Sequence, residues 1–228
     1  MKRSEINEII RGAEDFFREM RFALPPFAGW TPDEWKTKGG ECAEIADNAL
    51  GWDITDFGSG DFLKTGLLLV TIRNGSLDDP AYPKPYAEKI MIVGEDQVTP
   101  MHFHWSKQED IINRGGGELV VKLYNSDENE GLADTDVVVS LDGVKTALPA
   151  GSVICLKTGE SITMTQGLYH SFWGRPGLGR VLVGEVSKTN NDSVDNRFLE
   201  PVGRFPEIDE DEPAYRLLCN EYRKYMKA

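Results

Sequence analysis

Apolar residues recur along this chain with two different periods. Over residues 6–20, Ile6, Ile9, Ile10, Ala13, Phe16, Phe17 and Met20 keep the three-and-four spacing of one helix face. Ser4 stands where it would cap the first turn. The PPFAGW segment breaks that pattern, and Thr31-Pro32-Asp33-Glu34 predicts a second start. Thr31 can cap, Pro32 suits the first turn and Glu34 completes a capping box. From about residue 64 to 187 the pattern changes to short runs rich in Val, Ile and Leu: GLLLVTIR, EKIMIV, ELVVKLY, DVVVSLD, SVICLK, SITMT and RVLVGEVS. Turn residues separate them, at Asn74-Gly75, Asp142-Gly143 and Pro149-Ala150-Gly151. Many short strands at such spacing predict a sandwich or a closed barrel. Beyond them, Glu212-Pro213 opens a predicted helical tail with Tyr215, Leu218, Cys219, Tyr222 and Met226 as its apolar stripe. No repeat, low-complexity tract or long linker divides the chain. The expectation is a single domain over 1–228: a helical extension to about residue 60, a barrel over 61–200 and a helical tail over 201–228.

Composition narrows the function. The 228 residues are 40% hydrophobic, enough for one sizeable core. Lys and Arg number 25 against 38 Asp and Glu, a formal charge of −13, which argues against nucleic acid and anionic membrane as partners. The longest apolar run, around Leu67 to Val70, is far too short to span a bilayer. The N-terminal MKRSEINEIIRGAEDFF mixes acidic and apolar residues where a secretory signal needs an unbroken apolar stretch. Cys42, Cys155 and Cys219 are odd in number and far apart, so they predict free thiols in a reducing compartment. A cytoplasmic, soluble protein is expected.

All 3 histidines fall in two short segments. In a strand, His102 and His104 share one face while Met101, Phe103 and Trp105 take the other. Glu109 follows five residues after His104, far enough for the chain to bend back, and His170 in GLYHSFWG offers a third imidazole. Three imidazoles and a carboxylate suit a first-row divalent ion with positions open for water or substrate.

These spacings resemble the cupin superfamily. His102-x-His104, four residues, Glu109, six residues and Gly116 follow one cupin motif, although its leading glycine, Gly94, is two residues further upstream than usual. Gly159, Gly167 and His170 follow the second, with Thr165 in place of its Pro and Gly174 in place of its Asn. The resemblance implies a mainly β fold: a double-stranded β-helix (cupin, or jelly-roll) barrel with N-terminal helices and a C-terminal helix, and a metal in its mouth. The longer string HFHWSKQEDIINRGGG resembles the cupin-type D-lyxose isomerases, as do YAEKIMIV, YHSFWG, GEVS, DNRF and EPAYRLLCNEY, over about two thirds of the chain. That family implies interconversion of D-lyxose with D-xylulose, and of D-mannose with D-fructose, through a cis-enediol. It also implies Mn²⁺ held by His102, His104, Glu109 and His170, a choice that ligand hardness supports, with Co²⁺, Fe²⁺, Ni²⁺ or Zn²⁺ as other candidates.

Aldose–ketose isomerisation needs a base at C1/C2 and a donor at the oxygens. With every histidine assigned to the ion, lysines and carboxylates must do this work. Lys107, inside the H-x-H-x-x-K-x-E segment, is the first candidate near O1, or else a solvated loop lysine. Glu185 is an acidic residue in an apolar strand, either a buried base or a surface edge position, and Glu109 is also a catalytic candidate. Lys89 shares strand parity with Met91 and Val93, pointing in toward substrate or snorkelling out. Asp192, Asp195, Asn196 and Arg197 form either a polar lid over the mouth or a solvated loop. Phe172 and Trp173 line the cavity or belong to the core, and Trp105 is expected in the core. Two other readings use the same site: a metal-dependent oxygenase, and a non-catalytic sugar-binding cupin. The helical ends and the aromatic tail stripe point to a homodimer.

Overall fold

The computed structural model describes residues 1–189, 191–192, 194–203 and 206–227, and within them the strands form two antiparallel sheets. In chain order the strands are β1 Gly51–Thr55, β2 Leu67–Arg73, β3 Tyr86–Val93, β4 Thr99–His104, β5 Glu109–Gly116, β6 Leu119–Ser126 and β7 Leu132–Ala133. They continue with β8 Val137–Leu141, β9 Val144–Leu148, β10 Val153–Leu156, β11 Ser161–Met164, β12 Leu168–Gly174, β13 Val181–Lys188 and β14 Asn196–Phe198. The larger sheet runs β1-β2-β3-β13-β5-β11-β8-β9, and the smaller β10-β6-β12-β4-β14, with β7 beside β6. This is the expected mainly β barrel.

Strand alternation sets the layers. Odd positions of β3 and β13 (Met91, Val93, Val181, Val183) point between the sheets, where they meet Leu119, Val121, Leu123 and Phe172 of the smaller sheet. Even positions (Ile90, Ile92, Leu182) point the other way and pack under helix α1, Arg3–Glu19, against Ile6, Ile10, Ala13 and Phe17. The β1-β2-β3-β13 part of the larger sheet is therefore buried on both faces, which is why β2, β3 and β13 carry long apolar runs. One end of the barrel interior is filled by this apolar packing, and the polar residues gather at the other.

Two short helices, α2 Pro32–Trp35 and α3 Ala43–Asp47, follow α1. The capping box at α2 forms as its sequence predicts, with Thr31 Oγ1 accepting from the Glu34 amide at 3.2 Å. Ser4 does not cap α1. Its amide and hydroxyl instead donate to the Asp211 carboxylate at 2.9 and 2.7 Å, so the free N–H groups of α1 are met from the far end of the chain.

The predicted C-terminal helix is reduced to one 3-10 turn at Tyr222–Lys224. The rest of the described tail is irregular and lies over the chain as a strap. Arg3 donates to Asp209 O, and Cys219 donates to Trp52 O on β1. The Arg3 guanidinium, 1% exposed, reaches Glu210 at 2.6 Å and Glu221 at 2.5 Å. Tyr222 stacks on Trp35 with ring centroids 4.0 Å apart. A Cβ on Gly51, whose φ is +102°, would lie 1.9 Å from the Tyr222 hydroxyl, so only glycine admits this packing. The apolar stripe that suggested a second copy is thus buried against the chain's own N-terminal helices.

Gly174, where the cupin motif has Asn, has a similar reason. Its amide donates to Gly94 O at 3.0 Å, and a Cβ there would sit 2.5 Å from that oxygen.

Candidate active site and metal centre

The three histidines come from neighbouring strands of the smaller sheet. His102 and His104 project from the same face of β4, and His170 on β12 is the direct cross-strand partner of His102. All three are buried, and one ligand nitrogen from each lies within 4.8 Å of the others. Each Nδ1 sits against a backbone carbonyl: Pro100 O at 2.8 Å from His102, Asp195 O at 3.1 Å from His104 and Leu168 O at 3.0 Å from His170. A carbonyl only accepts, so Nδ1 carries the hydrogen and each Nε2 turns a lone pair inward. Burial and the two neighbouring imidazoles push His102 well below the usual histidine range, which keeps it neutral.

The facing sheet supplies the carboxylate. Glu109, first residue of β5, places Oε1 3.4 Å from His104 Nε2 and 3.2 Å from His170 Nε2. Both of those nitrogens are buried without a hydrogen-bond partner. Lone pairs facing a carboxylate repel unless a cation lies between them. Ligands about 2.1 Å from an ion and at right angles to one another stand about 3 Å apart, close to the spacing seen here. The residues fit a hard divalent ion.

Charged groups extend from this cluster in alternating sign. Lys107 Nζ lies 2.5 Å from Glu109 Oε2 and 3.1 Å from Glu185 Oε1. The same Glu185 oxygen is 3.1 Å from Lys89 Nζ, which in turn reaches Asp192 at 2.9 Å. Burial disfavours the Lys107 ammonium, but Glu109, Glu185 and Asp192 outweigh it and raise its pKa above that of an ordinary lysine. Burial likewise pushes Glu109 up, and the adjacent Lys107 ammonium overcomes this to hold it well below the usual carboxylate range. In this alternation each of the four buried groups faces one of opposite sign, where any one charge alone would be costly.

A small pocket opens onto these groups. Lys89, Lys107, Glu109, Glu185, Asp192 and Phe172 line it, as expected for substrate or catalytic groups. Asp195 and Arg197, expected to bind substrate, do not. Asp195 turns its carboxylate to the Ser106 and Lys107 amides, and Arg197 Nε donates to Glu130 at 2.8 Å. Trp105 is not in the core either. It is 46% exposed and donates to Glu130 at 2.9 Å, because the outer face of β4 has no helix over it as the larger sheet does. The expected lid over residues 192–197 ends in a strand, β14, paired to β4. Strand β14 brings in two residues that the sequence reading passed over as site members: Asn196, read only as part of the lid, and Phe198, which stacks over His102 at 5.2 Å. Phe57, after β1, packs on Phe198 at 5.7 Å and closes the same wall. The DNRF string was the available signal for β14, whereas nothing local marks Phe57.

A D-lyxose isomerase family model matches residues 1–222. The chain belongs to the D-lyxose isomerase family. It is 54% identical over 228 residues to a D-lyxose/D-mannose isomerase of Escherichia coli O157:H7, covering 99% of this chain and 100% of that protein. It is 52% identical over 227 residues to a D-lyxose/D-mannose isomerase of Serratia proteamaculans, with the same coverage. In fold, this family member is similar to the L-ribose isomerase of Cellulomonas parahominis in a structure with L-ribose, at a TM-score of 0.60 and 18% identity over 92% of this chain and 98% of that one. The Geodermatophilus obscurus L-ribose isomerase matches at a TM-score of 0.59 and 18% identity over the same shares.

Proposed function

We propose that this sugar isomerase interconverts D-lyxose with D-xylulose and D-mannose with D-fructose, using Mn²⁺ held by His102, His104, Glu109 and His170. The observation that carries this reading is the chain of alternating charge, Asp192–Lys89–Glu185–Lys107–Glu109, which ends at the converging Nε2 lone pairs. A divalent ion there would stabilise negative charge as it develops on the sugar oxygens.

The protein's own groups supply the proton work. Glu185 takes the proton from C2 of the aldose and returns it to C1. Both ammonium contacts fall on its Oε1, so Oε2 is the oxygen that receives the proton. Lys107 Nζ donates to O1 as charge builds there and recovers a proton from the O2 hydroxyl as that carbonyl forms, so it ends protonated, the state its neighbours favour. Lys89 holds Glu185 and Asp192 in place, and Asp192 accepts from a sugar hydroxyl. Phe57, Phe172 and Phe198 cover the apolar side of the sugar and exclude water. An oxygenase would gain nothing from the two lysines.

Incubating the Mn²⁺-reconstituted protein with D-lyxose in D₂O tests the reading. Deuterium at C1 of the D-xylulose formed, with loss of turnover in His104→Ala and Glu185→Gln, is the expected result. Oxygen uptake, or no conversion of any pentose or hexose, would overturn it. Isomerisation without deuterium would mean that the hydrogen passes from C2 to C1 without exchange, by a hydride shift or on a base closed to solvent, and retention of turnover in Glu185→Gln would then select the hydride shift.

We also propose that residues 1–228 act as one cupin domain and as a cytoplasmic homodimer. Support for the first is the strap that joins the tail to α1 and β1. For the second it is Leu63, 78% exposed beside Ile9 and Phe62 in an apolar groove along α1. Sedimentation at micromolar protein distinguishes dimer from monomer.

A further inference from the structure

Lys107 lies in the turn of residues 105–108, between β4 with two of the imidazoles and β5 with Glu109. A turn this short moves the Lys107 ammonium whenever its backbone shifts. What holds the backbone is a residue just before β14, the strand beside β4. Asp195 Oδ1 accepts from the Ser106 amide at 2.8 Å, and its Oδ2 accepts from the Lys107 amide at 2.9 Å. Its carbonyl oxygen accepts from His104 Nδ1 at 3.1 Å. Asp195 is buried, its own amide donates to Asn191 O at 3.0 Å, and the next residue, Asn196, pairs in register with His104. One residue thus fixes the tautomer of a metal-site histidine through its backbone and the turn carrying Lys107 through its side chain.

We propose that Asp195 is a positioning residue: it does not touch the sugar, and it acts on the reaction through Lys107. This rests on the isomerase reading for its kinetic consequence, although not for its geometry. A carboxylate is required because two N–H groups converge on one side chain. Asparagine offers one accepting oxygen and would turn its NH₂ hydrogens toward the second amide. The His104 contact is to a main-chain oxygen, so a side-chain substitution leaves it in place.

Asp195→Asn separates this role from substrate binding. Amide hydrogen exchange on the full chain should show Ser106 and Lys107 exchanging faster in the variant, with the amides of β13 unchanged. With Mn²⁺ and D-lyxose, kcat should fall about 10- to 100-fold while KM stays within about twofold, as for a misplaced catalytic group. Mn²⁺ affinity should be retained. The double variant Lys107→Ala/Asp195→Asn should be no more than about twofold slower than Lys107→Ala alone, because the two act as a unit. A raised KM with kcat intact would make Asp195 a substrate contact and overturn the proposal. So would a double variant whose loss is the product of the two single losses, or unchanged exchange at Ser106 and Lys107. A wild-type protein that turns over no aldose would defeat the isomerase reading instead, while amide exchange would still decide whether Asp195 holds the turn.

Discussion

Lys89 and Glu185 stand opposite each other in the β3–β13 ladder, and their side chains meet at 3.1 Å inside the barrel. Both are nearly inaccessible to solvent, so neither charge has water to fall back on. Lys89→Ala should destabilise the protein by about 3 kcal/mol, since it strands part of a buried ion pair. Urea unfolding at neutral pH measures this. A change below about 1 kcal/mol would mean that Lys107 alone neutralises Glu185.

The converging lone pairs at His104 and His170 predict linkage between metal and stability. Mn²⁺ at about a hundred times its Kd should add about 2.7 kcal/mol, read as a rise of about 5–10 °C in Tm. His170→Ala should abolish most of that rise. Equal shifts in wild type and variant would place the ion elsewhere.

Asn196 carries a polar atom in search of a partner. Its Nδ2 donates to Asp192 O at 2.7 Å, while its buried Oδ1, at the cavity wall, accepts from nothing among the described residues. A sugar hydroxyl would satisfy it. Asn196→Ala should therefore raise KM for D-lyxose about 3- to 10-fold and leave kcat nearly unchanged, the effect of one neutral hydrogen bond made equally before and during reaction. An unchanged KM would remove Asn196 from the site.

Tyr222 gives an alkaline prediction. Burial raises its phenol well above its ordinary value of 10.0. The unfolded chain then loses that proton near pH 10 while the folded protein keeps it, so stability falls as pH rises above 10. Tyr222→Phe should remove this component. Comparing the urea midpoints of both proteins at pH 8 and pH 11 checks the sign: wild type should lose more.

How legible these features were depended on how local their causes are. His102 and His104 could be placed on one face because strand alternation is a backbone property. The same rule put Trp105 on the opposite face but said nothing of what covers it. Helix α1 covers the larger sheet, and the outer side of β4 carries no such layer. Parity with Met91 and Val93 left Lys89 either pointing inward or snorkelling out, and its burial against Glu185 required the β3–β13 register. Strand β14 is three residues long and polar, so it exists only because β4 offers an edge. The tail has a helical spacing from Tyr215 to Met226, yet the hydrogen bonds it makes to α1 and β1 hold most of it out of helix. Asp195 looked like a substrate contact because it is acidic and near the mouth. Its actual partners are two amides 88 and 89 residues away.

Closing α1 with a carboxylate from the tail has a consequence in time. Ser4 and Asp211 are 207 residues apart, so α1 lacks its N-terminal partners until the ribosome has added the tail. At about 5–20 residues per second that interval is roughly 10–40 seconds. During it, the apolar face of α1 and the outer face of β2 and β3 can meet, but Arg3 has no carboxylate and β1 lacks its neighbour at Leu218. The last layer of this barrel is thus sealed only after the tail has been synthesised, and a chain stalled between His170 and Asp209 would carry a complete set of imidazoles on an unfastened frame.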